Sequence, residues 1–191
     1  MSDYSQFKHL LVEQKDEGVL LITINRPNVL NATNARLHWE LANVWKVVGE
    51  DPSVRVAVIT GAGRAFSVGG DTEMIKSFPG NFKVLADVLK EASDIVYNIA
   101  NLDKIVISAI NGVAMGAGLA VALMADISII AEDARISDGH MKIGVAAGDH
   151  SVIIWPLLCG MARAKLYLLT ADFIEGKEAE RIGLVSMALP K

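Results

Sequence analysis

At 191 residues, with 52% hydrophobic and 21% charged side chains, the chain is long enough to bury one sizeable core and has the balance of a soluble globular domain on the apolar side. A net charge of -4 supplies no basic field for nucleic acid, no apolar run reaches membrane-spanning length, and Met1 to Lys8 is too polar for a signal-peptide core, so one cytoplasmic domain over residues 1–191, without nucleic-acid or membrane partners, is expected. The single cysteine, Cys159, stands among Leu157, Leu158 and Met161 and reads as a buried thiol rather than a nucleophile.

In chain order, His9 to Gln14 and Val19 to Ile24 are strand candidates separated by the turn-like Lys15-Asp-Glu-Gly18, which predicts an antiparallel hairpin broken by Asn25-Arg-Pro. Thr33 or Asn34 can cap a helix whose Leu37, Leu41, Val44 and Val48 keep helical spacing and which ends near Asp51-Pro52. His38, one residue from Leu37, reads as a surface or boundary histidine. Val54 to Thr60 alternates as a strand, and the glycine-rich Gly61 to Met74 follows it into a helix. Phe78-Pro-Gly-Asn81 marks a loop, after which Phe82, Leu85, Leu89, Ala92, Val96 and Ile99 line one face of a long amphipathic helix. Ile105 to Ile110 is a buried strand, handed through the glycines of Asn111 to Ala125 to a segment of small and aliphatic residues that reads as a buried helix, and Ile127 to Ala131 is the next strand. Strands alternating with helices predict an α/β layered domain with right-handed crossovers.

The two strand, glycine loop, helix junctions are the informative feature. The first N–H groups of a helix lack intrahelical partners and carry the positive end of the macrodipole, so each junction can present a backbone donor to an oxygen that gains negative charge. Two such donors make an oxyanion hole. Small residues that merely let a helix pack closely against a sheet are the structural alternative.

Ile24-Asn-Arg-Pro with Asn31-Ala32, Arg64-Ala-Phe-Ser-Val-Gly-Gly-Asp71, Asn111-Gly-Val-Ala-Met-Gly-Ala-Gly118 and Gly183-Leu-Val185, in that order, resemble the signatures of the crotonase, or enoyl-CoA hydratase/isomerase, superfamily. The resemblance implies a crotonase-like β-β-α superhelix that assembles as a homotrimer or a dimer of trimers, and further C-terminal helices that the chain, ending at Lys191, does not contain. It places Gly70 and Ala117 at the two oxyanion N–H positions. Arg64 takes the position of a basic residue that can meet a coenzyme A phosphate, Val68 an adenine-facing backbone position, and Asp71 completes the first glycine loop on the substrate side. Glu73 stands where many members carry lysine, and like charge repels phosphate. No metal and no separate cofactor are implied; coenzyme A enters as part of the substrate.

The two glutamates that hydratases of this superfamily use for acid/base work match Ala120 and His140, and alanine moves no proton. Nearby stand Ser137-Asp-Gly-His140 and Gly148-Asp149-His150. A histidine oriented by a carboxylate is a general base able to activate water, and spacing allows either Asp149 or Asp138 as partner of His140. The block from His140 to Asp149, followed by Ile154-Trp-Pro156, is similar to the branch that includes the camphor-diketone hydrolase, in which a histidine and an aspartate at this spacing promote retro-Claisen cleavage. Asp149 or Ser151 can instead cap the next helix, His150 reads as a first-turn surface residue, and Pro156 near the helix start is tolerable.

Three functions follow from these residues: an enoyl-CoA hydratase/isomerase-type lyase or isomerase of acyl-CoA metabolism that stabilises a thioester enolate; a carbon–carbon bond hydrolase acting on a β-diketone through His140 and Asp149; and an inactive binding or assembly subunit that kept the fold.

Overall fold

The computed structural model describes residues 2–148 and 150–191. Asp149 therefore lies outside the described residues, and its two expected roles, partner of His140 and helix cap, stay with the sequence.

The hairpin forms as expected: β1 (Leu10–Asp16) pairs antiparallel with β2 (Val19–Ile24), whose Leu20, Ile22 and Ile24 are buried on alternate positions. Asn34 caps α1 (Ala35–Glu50), accepting from the Leu37 N–H at 2.9 Å. β3 (Val56–Gly61) then runs parallel to β2.

At the first glycine-rich stretch the structure adds an element. Ala65–Val68 is a short buried strand, β4, and only after Gly69 and Gly70 does helix α2 (Thr72–Lys76) begin, followed by α3 (Phe82–Ala100). The same happens after β5 (Ile105–Ile110): Val113–Met115 forms β6 before helix α4 (Gly116–Met124). A third pair follows in β7 (Ile127–Ala131) and β8 (Arg135–Ser137). The repeating unit is thus two strands per helix, not one. Strands of three or four residues, with serines at buried positions in β4 and β8, show neither alternation nor length, so periodicity passes over them.

The chain continues through α5 (His150–Cys159), α6 (Met161–Thr170), β9 (Ile174–Glu175), α7 (Gly176–Arg181) and β10 (Met187–Leu189). Pro156 sits in the second half of α5 rather than near its start. It removes an interior N–H, and the helix stops three residues later.

Two sheets result. The larger has the order β1-β2-β3-β5-β7-β10, parallel except for the opening hairpin; the smaller has the order β4-β6-β8-β9, with β9 antiparallel. Between them lies α4, apolar all round, with Gly118 to Leu123 all buried. It packs on β4, β5, β6 and β8 and meets α1, α3 and α5. Gly118 must be glycine there: a Cβ would stand 2.4 Å from the Ser67 Cβ of β4. Cys159 is buried as expected, and burial pushes its thiol pKa up. Among the described residues no helix is long and apolar enough to cross a membrane.

Candidate active site

The parallel order β4-β6-β8 brings three chain segments side by side, because parallel strands all end at the same edge. Val68 pairs with Met115, and Met115 with Ser137, so Gly69-Gly70, Gly116-Ala117 and Asp138-Gly-His140 leave the sheet as neighbours. A fourth segment extends the row beyond β4. Thr33 bridges to Gly70, its N–H donating to the Gly69 carbonyl at 2.7 Å and its carbonyl accepting from Asp71 N–H at 2.8 Å.

These segments line one cavity of about 410 Å³, walled by Gly70, Ala117, Ala120, Asp138, His140, His38 and His150, and by the apolar side chains of α2 and α3. The close passage of the two glycine loops requires small residues. Gly116 has φ 54, and a Cβ there would lie 3.1 Å from the Gly69 Cα and 3.7 Å from the Gly70 nitrogen. Ala117 is the second residue of α4, whose first-turn N–H groups have no intrahelical acceptor. Among the described residues no turn, loop or cap hydrogen bond takes the Gly70 or the Ala117 N–H.

His140 opens a 3-10 turn over His140–Ile143. The residue before it, Gly139, has φ 78, and this left-handed step folds the imidazole back so that Nδ1 lies 2.9 and 3.0 Å from the two oxygens of Asp138. A Cβ on Gly139 would also stand 2.6 Å from the Met115 Cε. The Asp138 carboxylate has its side chain fully buried and accepts further hydrogen bonds from the His140 N–H at 3.2 Å and from the Ser151 hydroxyl. Burial pushes its pKa up, but the hydrogen bonds from His140 and Ser151 outweigh burial and leave the carboxyl below its ordinary value. An ionised Asp138 can only accept, so the proton of a neutral His140 sits on Nδ1 and the ring's lone pair on Nε2.

His150, read as a surface residue, and His38, read as a surface or boundary one, are both buried here. His150, in the first turn of α5, is 1% exposed, lines the cavity and has Nε2 3.2 Å from the Ser151 hydroxyl. His38 is 5% exposed, and its Nδ1 lies 2.6 Å from Glu91 of α3. The sequence carries a signal for the second: His38, Ala42 and Trp45 form a stripe beside Leu37, Leu41, Val44 and Val48, and all of these are buried, so α1 is covered on two sides. For His150 no comparable pattern exists. Ser151 lies inside α5, and its hydroxyl serves Asp138.

The residues expected to meet coenzyme A divide. Val68 is half-buried and lines the cavity. Arg64 is exposed, away from the cavity wall, with its carbonyl seated where a Cβ on Gly112 would fall, 2.2 Å away. Asp71 caps α2 by accepting from the Glu73 N–H at 3.0 Å, and lies 3.5 Å from Arg26. Glu73 is exposed and paired with Lys76 at 3.1 Å. The asparagines of the recognised motifs hold loops together. Asn31, buried at φ 57, donates to the Ala62 and Ala65 carbonyls, and Asn111 accepts from Gly61 N–H and donates to Gly63. Among the described residues no group of acidic, histidine or cysteine side chains has the arrangement to hold a metal ion.

A family model described as enoyl-CoA hydratase/isomerase matches residues 14–191. The chain is 36% identical over 169 residues to the (E)-benzylidenesuccinyl-CoA hydratase of Thauera aromatica, covering 88% of this chain and 65% of that protein. It is 33% identical over 177 residues to the 1,2-epoxyphenylacetyl-CoA isomerase of Escherichia coli, covering 92% of this chain and 68% of that protein. Its fold superposes on the crystal structure of an enoyl-CoA hydratase/isomerase from Mycobacterium paratuberculosis with a TM-score of 0.90 at 37% identity, covering 95% of this chain and 72% of the other. A second match, an enoyl-CoA hydratase structure from Streptomyces coelicolor, has a TM-score of 0.92 at 29% identity and covers 100% and 70%.

Proposed function

The chain belongs to the enoyl-CoA hydratase/isomerase family, and from that premise we propose that it binds an acyl-CoA, holds the thioester oxygen on the backbone N–H groups of Gly70 and Ala117, and uses His140, oriented by Asp138, as its acid and base. The observation that carries this reading is the delivery of Gly70, Ala117 and His140 into one cavity by three adjacent parallel strands. In hydration, His140 Nε2 takes a proton from water as the oxygen adds to C3 of an enoyl thioester. The double-bond electrons move onto the thioester oxygen, where the two N–H groups stabilise the enolate. The imidazolium then returns the proton to C2. Ala120 lines the same cavity without a carboxylate, so one imidazole serves both transfers. Simple enoyl thioesters such as crotonyl-CoA are therefore hydrated slowly.

The test isolates one donor. In Ala117→Pro the chain keeps a residue suited to a helix's first turn and loses the N–H, the ring Cδ taking the place of the amide hydrogen. Exchange of the α-protons of butyryl-CoA in deuterium oxide, followed by NMR, should occur with the wild-type protein, fall about a hundredfold in Ala117→Pro, and vanish in His140→Ala. Exchange that is absent from the wild type, or untouched by Ala117→Pro, overturns the reading.

The His140–Asp138 pair supports a second reading, cleavage of a cyclic β-diketone. Water activated by the imidazole attacks one carbonyl carbon, the carbon–carbon bond breaks toward the other carbonyl, and the N–H groups hold the resulting enolate until the imidazolium protonates its carbon. Ring opening of 1,3-cyclohexanedione that is lost in His140→Ala favours this reading over the first.

A further inference from the structure

The cavity has a second imidazole–carboxylate pair that the proposed chemistry does not use. His38 follows Thr33 by little more than one helical turn and stands beyond β4, whereas His140 follows β8, so Gly70 and Ala117 lie between the two imidazoles in the row of loops. The wall that α2 and α3 contribute to the same cavity is apolar, formed by Ile75, Leu85, Leu89, Ala92 and Ile95. His38 gives up its hydration in such a wall and Glu91, half-buried, gives up part of its own, and a pair of this kind adds little net stability compared with apolar residues of the same volume.

Its geometry suits recognition. Glu91 lies 2.6 Å from Nδ1 and, as an ionised carboxylate, cannot donate, so the Nδ1 proton is fixed and a neutral ring presents its lone pair at Nε2. Among the described residues Nε2 has no hydrogen-bond partner, yet it is not among the buried side-chain atoms sealed from solvent without one. His38 is 95% buried and lines the cavity, so its open nitrogen faces the cavity space.

We propose that His38, positioned by Glu91, reads a hydroxyl group on the substrate, at a point on the acyl chain or ring separate from the oxygen held by Gly70 and Ala117. This rests on the reading that an acyl-CoA or diketone occupies the cavity with its reactive oxygen on those two N–H groups. A hydroxyl fits because it donates to the Nε2 lone pair; an unsubstituted hydrocarbon chain leaves that nitrogen desolvated and unpaired.

Calorimetric titration of hexanoyl-CoA and of the 3-, 4-, 5- and 6-hydroxyhexanoyl-CoA series tests it, with wild type, His38→Phe and Glu91→Gln compared. One position of the series should bind wild type at least about fivefold more tightly than hexanoyl-CoA, as a single well-placed hydrogen bond allows. His38→Phe should abolish that preference while hexanoyl-CoA binds as well as before or better, and Glu91→Gln should reduce it. If His38→Phe does not fold, as judged by its thermal melt, His38→Leu provides the same contrast. Equal binding of every member of the series to wild type, or a preference that survives loss of the imidazole, overturns the proposal alone. If no member of the series and no cyclic diketone binds, both this inference and the reading of the cavity fall together.

Discussion

Asp138 does three things at once: it accepts a hydrogen bond from His140 Nδ1–H, accepts from the His140 backbone, and accepts from Ser151. Its value to catalysis lies in the first, because the carboxylate chooses which ring nitrogen carries the lone pair. Asp138→Asn preserves size and lets the amide oxygen keep the Ser151 bond, but an amide NH2 facing Nδ1 forces the ring proton onto Nε2. We expect kcat to fall about a thousandfold or more, the scale seen when the analogous aspartate of a serine protease is made asparagine, with KM changed little and the thermal midpoint at neutral pH lowered only modestly. Saturation kinetics on whichever substrate the exchange assay identifies provide the check. An unchanged kcat removes Asp138 from the mechanism. The pairing also illustrates what spacing can and cannot settle: Asp138 and Asp149 are both within reach of His140 in the sequence, and the contact to Asp138 exists because Gly139 adopts φ 78.

Among the elements, α1 carries more than its apolar stripe. Glu40, on its inner side and fully buried, accepts from the N–H groups of Lys8, His9 and Leu10 at 2.7, 2.8 and 3.0 Å and from Arg36 Nε at 2.7 Å. One carboxylate thus anchors the entry of β1 to the helix and satisfies three backbone donors that have left no strand partner to meet. Removing it strands the buried Leu10 N–H and leaves the half-buried donors of Lys8 and His9 without their acceptor. Glu40→Ala should therefore destabilise the domain by about 3 kcal/mol or more, measured as the change in chemical-unfolding free energy, whereas an exposed charge such as Glu73→Ala should shift it by less than about 0.5 kcal/mol. Glu40 stands three residues after Leu37 and four before Val44, so spacing puts it on the apolar side of α1; what spacing leaves out is the set of backbone donors it meets there.

For the molecule as a whole, acid sensitivity should follow its buried carboxylates. Asp51, just past α1, accepts from the Ser53 hydroxyl at 2.6 Å and from the Ser53 N–H, the Ser2 N–H and the Tyr4 hydroxyl, tying the N-terminal residues to the helix end. The Ser53 hydroxyl bond holds its pKa well below the ordinary value, against the opposing effect of burial. A group whose folded pKa is depressed contributes stability that is complete above the unfolded value, about 3.9 for aspartate, and is lost as pH falls toward the folded value. Asp138 is shifted in the same direction and adds to the effect. His9, whose imidazole burial holds below its ordinary value, contributes a first, smaller loss as pH falls below the unfolded histidine value of about 6.5; the carboxylates should give a second decline of the thermal midpoint below about pH 4, and Asp51→Asn should flatten that second decline while lowering the plateau. A midpoint that rises on acidification contradicts this account.

Periodicity reached most of the longer elements: the hairpin, α1 with its Asn34 cap, α3, and the strands β3, β5 and β7 lie within two residues of where apolar spacing put them, whereas α6 and α7 are not assigned from spacing. Motif order identified the family, because glycines such as Gly116 and Gly118 are demanded by close backbone and side-chain approach and admit no substitute. The second sheet could not be read from pattern, since β4, β6 and β8 are too short to alternate and owe their pairing to neighbours far away in the chain. Burial of polar groups was the other tertiary decision. His150 looks like an ordinary helical histidine and His38 carries only the hint of a second apolar stripe; the packing of α3 over α1, and of α5 along the cavity, takes them out of water and gives His38 the Glu91 carboxylate from more than fifty residues away. Local sequence sets which backbone conformations are cheap; which polar side chains face one another across a cavity depends on contacts that no window of sequence contains.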